Sequence, residues 1–279
     1  MKITIPSSLV SVDWLFENIK ADNLIILDAS IAKVGTQENK VESKNCIINT
    51  VFFDLKNVFS DKEGEFPNTI PTAKYFEKEV QKLGVNKDSC VIIYDDLGVY
   101  SSPRVWWLFK LFGFENVAVL NGGSPAWQEA KYPTEKLNTK QLIKGNFKAD
   151  FKINYLSIIK DVLIASNDKK HIFDARSKGR FEATSPEPRK GLRGGHIPNS
   201  KSLPHSELQI DGKMKSKEKL QEIFSVLNPK KETVIFSCGS GITACILALG
   251  NELAGNTNYS VYDGSWTEWA STLALPVEK

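Results

Sequence analysis

The stretch SCGSGITACI, residues 237–246, sets Cys238 directly after the apolar run TVIF and directly before two glycines in a space of three residues. The apolar run reads as a buried strand, and the residues from Ile242 onward read as a helix. A strand that turns through glycines into a helix aims several backbone N–H groups, and the positive end of the helix dipole, at one point. Such a cradle stabilises an anion, and the thiolate is the reactive form of cysteine. Gly239 and Gly241 permit the backbone angles that bend the chain around the sulfur, while Ser240 and Thr243 bring hydroxyls near it. Stripped of that context, a cysteine between strand and helix is an inert core residue.

Two other cysteine chemistries fit less well. A phosphatase loop needs a guanidinium at its far end to grip phosphate bidentately. Ala244 stands six residues after Cys238, and no arginine occurs from 238 to 253. A thioredoxin-like site requires Cys-x-x-Cys. Here the next cysteine, Cys245, lies seven positions on and reads as a packed residue of the helix.

The elements that must position the loop follow from the hydrophobic pattern. Short β-rich runs alternate with amphipathic stretches, the pattern of a parallel sheet covered by helices. The first half reads as helix 12–19, strand 24–28, a helix after Pro71, strand 90–94, helix 103–112 and strand 117–120. The second half reads as helix 155–165, strand 171–174, helix 217–227, strand 233–237, helix 242–253 and strand 260–262. The halves correspond. ILDAS answers IFDARS, with Asp174 following Asp28 by 146 residues; VIIYDD answers VIFSCGS, with Cys238 following Asp95 by 143; NGGSPAW answers YDGSWTEW, with Trp269 following Trp127 by 142. Offsets this steady indicate a duplicated domain. Because Asp95 occupies the place of Cys238, only the second half keeps a nucleophile.

Composition sets the bounds. The 279 residues suffice for two domains, and 41% hydrophobic with 25% charged residues is ordinary for a folded protein. A net charge of +3, with no basic stripe, gives no warrant for a nucleic-acid or membrane partner. No apolar run reaches the roughly 20 residues of a membrane span, and the opening MKITIPSSLVSVDW lacks the core of a secretory signal, so the expected location is cytoplasmic. Four widely spaced cysteines and three scattered histidines suggest neither a disulfide framework nor a metal site.

Taken in order, CGSGITAC, DARSKGRF, EPRKGLRGGHIP and YDGSWTEW, with YSSPRVWW at 100–107, resemble the rhodanese superfamily, and within it the two-domain 3-mercaptopyruvate sulfurtransferases. The resemblance covers nearly the full length. It implies an α/β fold of two tandem rhodanese-type domains, each a mainly parallel sheet with helices on both faces. The expected division is an N-terminal domain at 1–131 lacking the cysteine, a polar linker at 132–146 and a catalytic domain at 147–279.

The resemblance further implies that Cys238 takes a sulfur atom from a donor to become a persulfide and passes it to a thiol or cyanide. No metal or organic cofactor is implied. The expected partners are a small-molecule sulfur donor and a thiophilic acceptor, a thioredoxin-like protein or small thiol among them. Gly239, Ser240, Gly241, Ile242 and Thr243 would hold the transferred sulfur. Thiosulfate sulfurtransferases resemble this chain but carry basic residues just after the cysteine, whereas Gly239 and Ser240 are uncharged, which suits a keto-acid donor. The family's two substrate arginines match Arg180 and Arg189, whose forks suit a carboxylate.

Ser240 matches a serine that assists proton movement on the donor thiol; its alternative reading is a loop-stabilising hydroxyl. Tyr100 is a candidate contribution from the first half. Arg176, Arg193 and His196 read as structural, and Trp266 and Trp269 as core packing. Where some relatives carry acidic or histidine residues, this chain has Lys56 and Asn68, which puts a Ser-His-Asp relay in doubt. Two rivals stand beside the main reading: a thiosulfate sulfurtransferase, and a sulfur carrier or persulfide-binding module without turnover.

Overall fold

The computed structural model describes residues 1–32, 45–137 and 142–279. The chain divides into two compact units. The first comprises residues 1–62, 70–152 and 211–214, and the second 63–69, 153–210 and 215–279.

The first unit runs β1 (Leu9–Val10), α1 (Val12–Glu17), β2 (Leu24–Asp28), β3 (Asn45–Ile47), β4 (Thr50–Phe52), α2 (Ala73–Lys82), β5 (Cys90–Tyr94), α3 (Ser102–Leu111), β6 (Val117–Leu120), α4 (Gly123–Glu129) and β7 (Thr134–Lys136). Its main sheet has the order β1-β6-β5-β2-β4, parallel throughout. β5 is buried at every position, which is why its sequence CVIIY is continuous rather than alternating. Cys90, Ile92 and Tyr94 share a core with Leu15 and Trp127, while Val91 and Ile93 point the other way. Phe76 meets Phe109, Phe112 and Phe147 in a further aromatic group.

The second unit repeats this plan. It contains β8 (Leu156–Ser157), α5 (Ile159–Asn167), β9 (His171–Asp174), α6 (Lys178–Phe181), β10 (Lys201–Ser202), β11 (Gln209–Ile210), α7 (Lys217–Leu227), β13 (Val234–Ser237), α8 (Ala244–Leu253), β14 (Tyr259–Tyr262) and α9 (Ser265–Ser271), while the intervening β12 (Lys213–Met214) falls in the first unit. Its sheet, β8-β14-β13-β9-β10, matches the first strand for strand. Asp28 pairs with Tyr94 in one and Asp174 with Ser237 in the other. Asp95 and Cys238 therefore occupy the same position, one residue past the end of the central strand. Val162, Ile172, Ile235, Tyr262, Trp266 and Trp269 form one core of this unit.

Three expectations shift. The helix expected from 155 begins at Ile159: Tyr155 ends a single 3-10 turn over Ile153–Tyr155, and Leu156 and Ser157 form an edge strand by pairing with Val261 and Tyr262, where sheet pairing outweighs local propensity. The helix expected from 242 starts at Ala244, since the chain is still turning through Gly241, whose φ is +77°. The stretch 132–146 is not a bare linker. It carries β7, paired antiparallel with β3, and Gly145 and Phe147 donate to the carbonyls of Gln81 and Val85 in the first unit; residues 138–141 lie outside the described residues.

Candidate active site

Parallel sheets present their functional loops at the carboxyl ends of the strands, and the 238–243 loop lies there, between β13 and α8. It is held from beneath by the start of α9. The Trp266 amide donates to the Cys238 carbonyl at 2.9 Å, and the Thr267 amide and hydroxyl donate to the Gly239 carbonyl at 3.0 and 2.6 Å. Ser265 Oγ accepts from the Cys238 amide at 3.2 Å and the Gly241 amide at 3.1 Å, donates to the Tyr262 carbonyl at 2.8 Å, and lies 3.9 Å from Cys238 Sγ. One hydroxyl thus ties the two ends of the turn together while touching the sulfur.

Gly241 supplies the left-handed backbone the turn needs. Gly239 contributes differently from the expectation: its backbone is not left-handed, and its value lies in having no side chain. A Cβ there would sit 2.9 Å from an Arg180 guanidinium nitrogen, which lies against the loop. The Thr243 hydroxyl makes no capping bond to α8. Cys245, in the first turn of α8, is fully buried and donates to the Gly241 carbonyl at 3.3 Å.

Arg180 and Arg189 both reach this loop. Arg180 is gripped by the buried Glu187 carboxylate through Nη2 at 2.6 Å and Nε at 3.3 Å. Glu187 is anchored in turn by Arg176 Nη1 at 2.7 Å. Arg176 forks onto Asp174, lies over the Trp266 ring at 4.4 Å and donates to the Gly195 carbonyl. Burial works against its charge, and the neighbouring Asp174 and Glu187 carboxylates more than offset this, so its pKa is raised. Arg189 Nη2 donates to Ser240 Oγ at 3.1 Å, and Asn68 Nδ2 donates to the same oxygen at 3.0 Å.

The remaining assignments sort cleanly. Arg193 donates to the carbonyls of Trp269, Ala270, Thr272 and Leu275, closing the C-terminal end of α9. His196 stacks on Phe181 at 3.8 Å and bonds its carbonyl. Trp266 and Trp269 are fully buried. Tyr100 stands in the first unit, where its amide donates to Asp95.

Ser265, Thr267 and Glu187 were not singled out from the sequence. The repeat held the signal for Ser265. Aligning Trp127 with Trp269 sets Gly123 against Ser265, and the two have φ of +54° and +50°. A serine kept in a conformation that its repeat partner meets with glycine marks a hydroxyl with work to do. The adjoining amides agree: Ser124 donates to the Asp95 carbonyl as Trp266 does to that of Cys238.

Two rhodanese-like domain matches cover residues 11–130 and 160–272. The chain is 36% identical over 274 residues to the 3-mercaptopyruvate sulfurtransferase of Escherichia coli K12, covering 96% of this chain and 97% of that protein. It is also 36% identical over 300 residues to thiosulfate/3-mercaptopyruvate sulfurtransferase 1, mitochondrial, of Arabidopsis thaliana, covering 97% and 78%. The crystal structure of SseA from Escherichia coli, described as having the rhodanese fold of 3-mercaptopyruvate sulfotransferases, superimposes with a TM-score of 0.83 at 34% identity, over 93% of this chain and 99% of that one. This α/β fold of two similar halves with a cysteine loop in the second is that of a tandem rhodanese-like protein. The chain belongs to the rhodanese family.

Proposed function

We propose that this chain is a sulfurtransferase that moves sulfur from 3-mercaptopyruvate, through a persulfide on Cys238, to a thiol or cyanide, releasing pyruvate. The observation that carries the anionic-sulfur step comes from the first unit. There the loop after β5 wraps the fully buried Asp95 carboxylate: Oδ1 accepts from the Leu97 amide at 2.9 Å, and Oδ2 from the amides of Tyr100, Ser101 and Ser102 at 2.8–3.0 Å. The loop is an anion cradle filled by its own side chain.

At the repeat offset of 143, three of those amides correspond to Ser240, Thr243 and Ala244. None of the three bonds a protein acceptor among the described residues. The same backbone, freed of its aspartate, is available to an anionic sulfur on Cys238.

In the proposed reaction the Cys238 thiolate attacks the donor sulfur, and the sulfur–carbon bond breaks with its electron pair going to the methylene carbon. That carbon takes up the donor's thiol proton, so the products are the Cys238 persulfide anion and pyruvate. Preorganised donors around a developing anion are worth a few kcal/mol each. Arg180 and Arg189 serve the donor carboxylate, and the uncharged Gly239 and Ser240 favour a keto acid over a dianion. The acceptor is a small thiol, a thioredoxin-like protein or cyanide, and the second unit is the catalytic one.

The test is kcat/KM for 3-mercaptopyruvate against thiosulfate with a common thiol acceptor. The proposal expects mercaptopyruvate to win clearly, and a clear win for thiosulfate would overturn the donor assignment.

A further inference from the structure

Ser240 Oγ receives two hydrogen bonds at once. Asn68 Nδ2 donates to it at 3.0 Å and Arg189 Nη2 at 3.1 Å. The direction of the Asn68 bond follows from its second contact, since the same nitrogen lies 3.4 Å from the Ser240 carbonyl, which can only accept. A hydroxyl has two acceptor sites and one proton. With both acceptor sites filled, the oxygen cannot take a further proton, and its own hydrogen is left to point outward. Among the described residues that O–H has no acceptor.

Accordingly, we propose that Asn68 is a positioning residue: with Arg189 it saturates the Ser240 oxygen, so that Ser240 serves the reaction as a hydrogen-bond donor to the sulfur donor and never as its base. This deepens the sulfurtransferase reading and rests on it. The proton balance agrees. The donor's thiol proton passes to the carbon that loses the sulfur, so no protein base is needed, while the Ser240 O–H steadies the negative charge that develops as the sulfur–carbon bond breaks.

Backbone geometry selects the variants. Asn68 has φ of +65°, which asparagine, aspartate and glycine adopt with little strain. Asn68→Asp keeps the shape but turns the bond around, because a carboxylate accepts from Ser240 and draws its proton away from the substrate. Asn68→Gly removes the side chain and leaves the hydroxyl free to rotate.

The experiment is a double-mutant cycle of Asn68→Asp and Asn68→Gly with Ser240→Ala, reading kcat and KM on both 3-mercaptopyruvate and thiosulfate. Asn68→Asp is expected to lower kcat roughly tenfold and Asn68→Gly by less, with each effect shrinking below about twofold once Ser240 is alanine. An Asn68→Asp loss that persists undiminished in the Ser240→Ala protein overturns the proposal, as does an Asn68→Asp enzyme as fast as the native one. Inactivity of the native protein on mercaptopyruvate alone would sink the donor assignment, and the cycle on thiosulfate would still decide the role of Asn68.

Discussion

Arg180 and Arg189 reach the cysteine loop by different routes, one held by Glu187 and the other bonded to Ser240. If both serve the donor's carboxylate, removing either forfeits a charge-assisted bond worth about 1.5–3 kcal/mol, or roughly 10- to 150-fold. Arg180→Ala and Arg189→Ala are therefore expected to raise KM for 3-mercaptopyruvate at least tenfold and KM for thiosulfate much less, since only the former offers a carboxylate. Equal losses on the two donors in steady-state assays would remove the carboxylate role. Cys238 and the turn at Gly241 were legible from the run itself, a buried strand ending at glycines, whereas Arg180 and Arg189 were pointed to by the resemblance to the family and not by their residue types. Glu187 was singled out by neither. Its meaning depends on a carboxylate eleven residues from Arg176 folding back between two guanidiniums, and no local pattern specifies that.

At the scale of elements, the cysteine loop depends on the start of α9. Ser265 accepts from both ends of the turn, in a backbone conformation that glycine adopts more easily. Ser265→Gly would relax that backbone and remove only the hydroxyl, leaving two buried amides without their acceptor at roughly 1–3 kcal/mol each. A lower melting temperature and a kcat reduced at least tenfold are expected. Unchanged melting and turnover would show that the loop holds itself. Strands 24–28, 90–94, 117–120 and 171–174 were readable to the residue, because a buried parallel strand is a continuous apolar run. Leu156 and Ser157 were not, since two residues at a sheet edge gain their conformation from β14 rather than from their own sequence.

Across the whole molecule, one plan is used twice. The first half wraps its loop around the Asp95 side chain, and in the proposed reaction the second offers the corresponding amides to an anionic sulfur. Asp95→Asn would turn an amide N–H₂ toward donors that now meet a carboxylate, at a cost of about 2–4 kcal/mol. The denaturant midpoint is expected to fall, while persulfide formation on Cys238 continues in protein that remains folded. An unchanged midpoint would contradict the view of Asp95 as the acceptor that holds its loop. The duplication itself was visible in the offsets of 146, 143 and 142. What the offsets could not convey is that Asp95 fills its loop, because that follows from four backbone amides converging on one side chain.

The central claim is that Cys238 carries the sulfur. Intact-protein mass spectrometry after brief incubation with 3-mercaptopyruvate and no acceptor, on the native chain and on Cys238→Ser, tests it most directly. The account predicts a gain of about 32 Da, one sulfur atom, on the native chain alone, with one pyruvate released per protein. Undiminished pyruvate release with no gain in mass, or the same gain on Cys238→Ser, would contradict it.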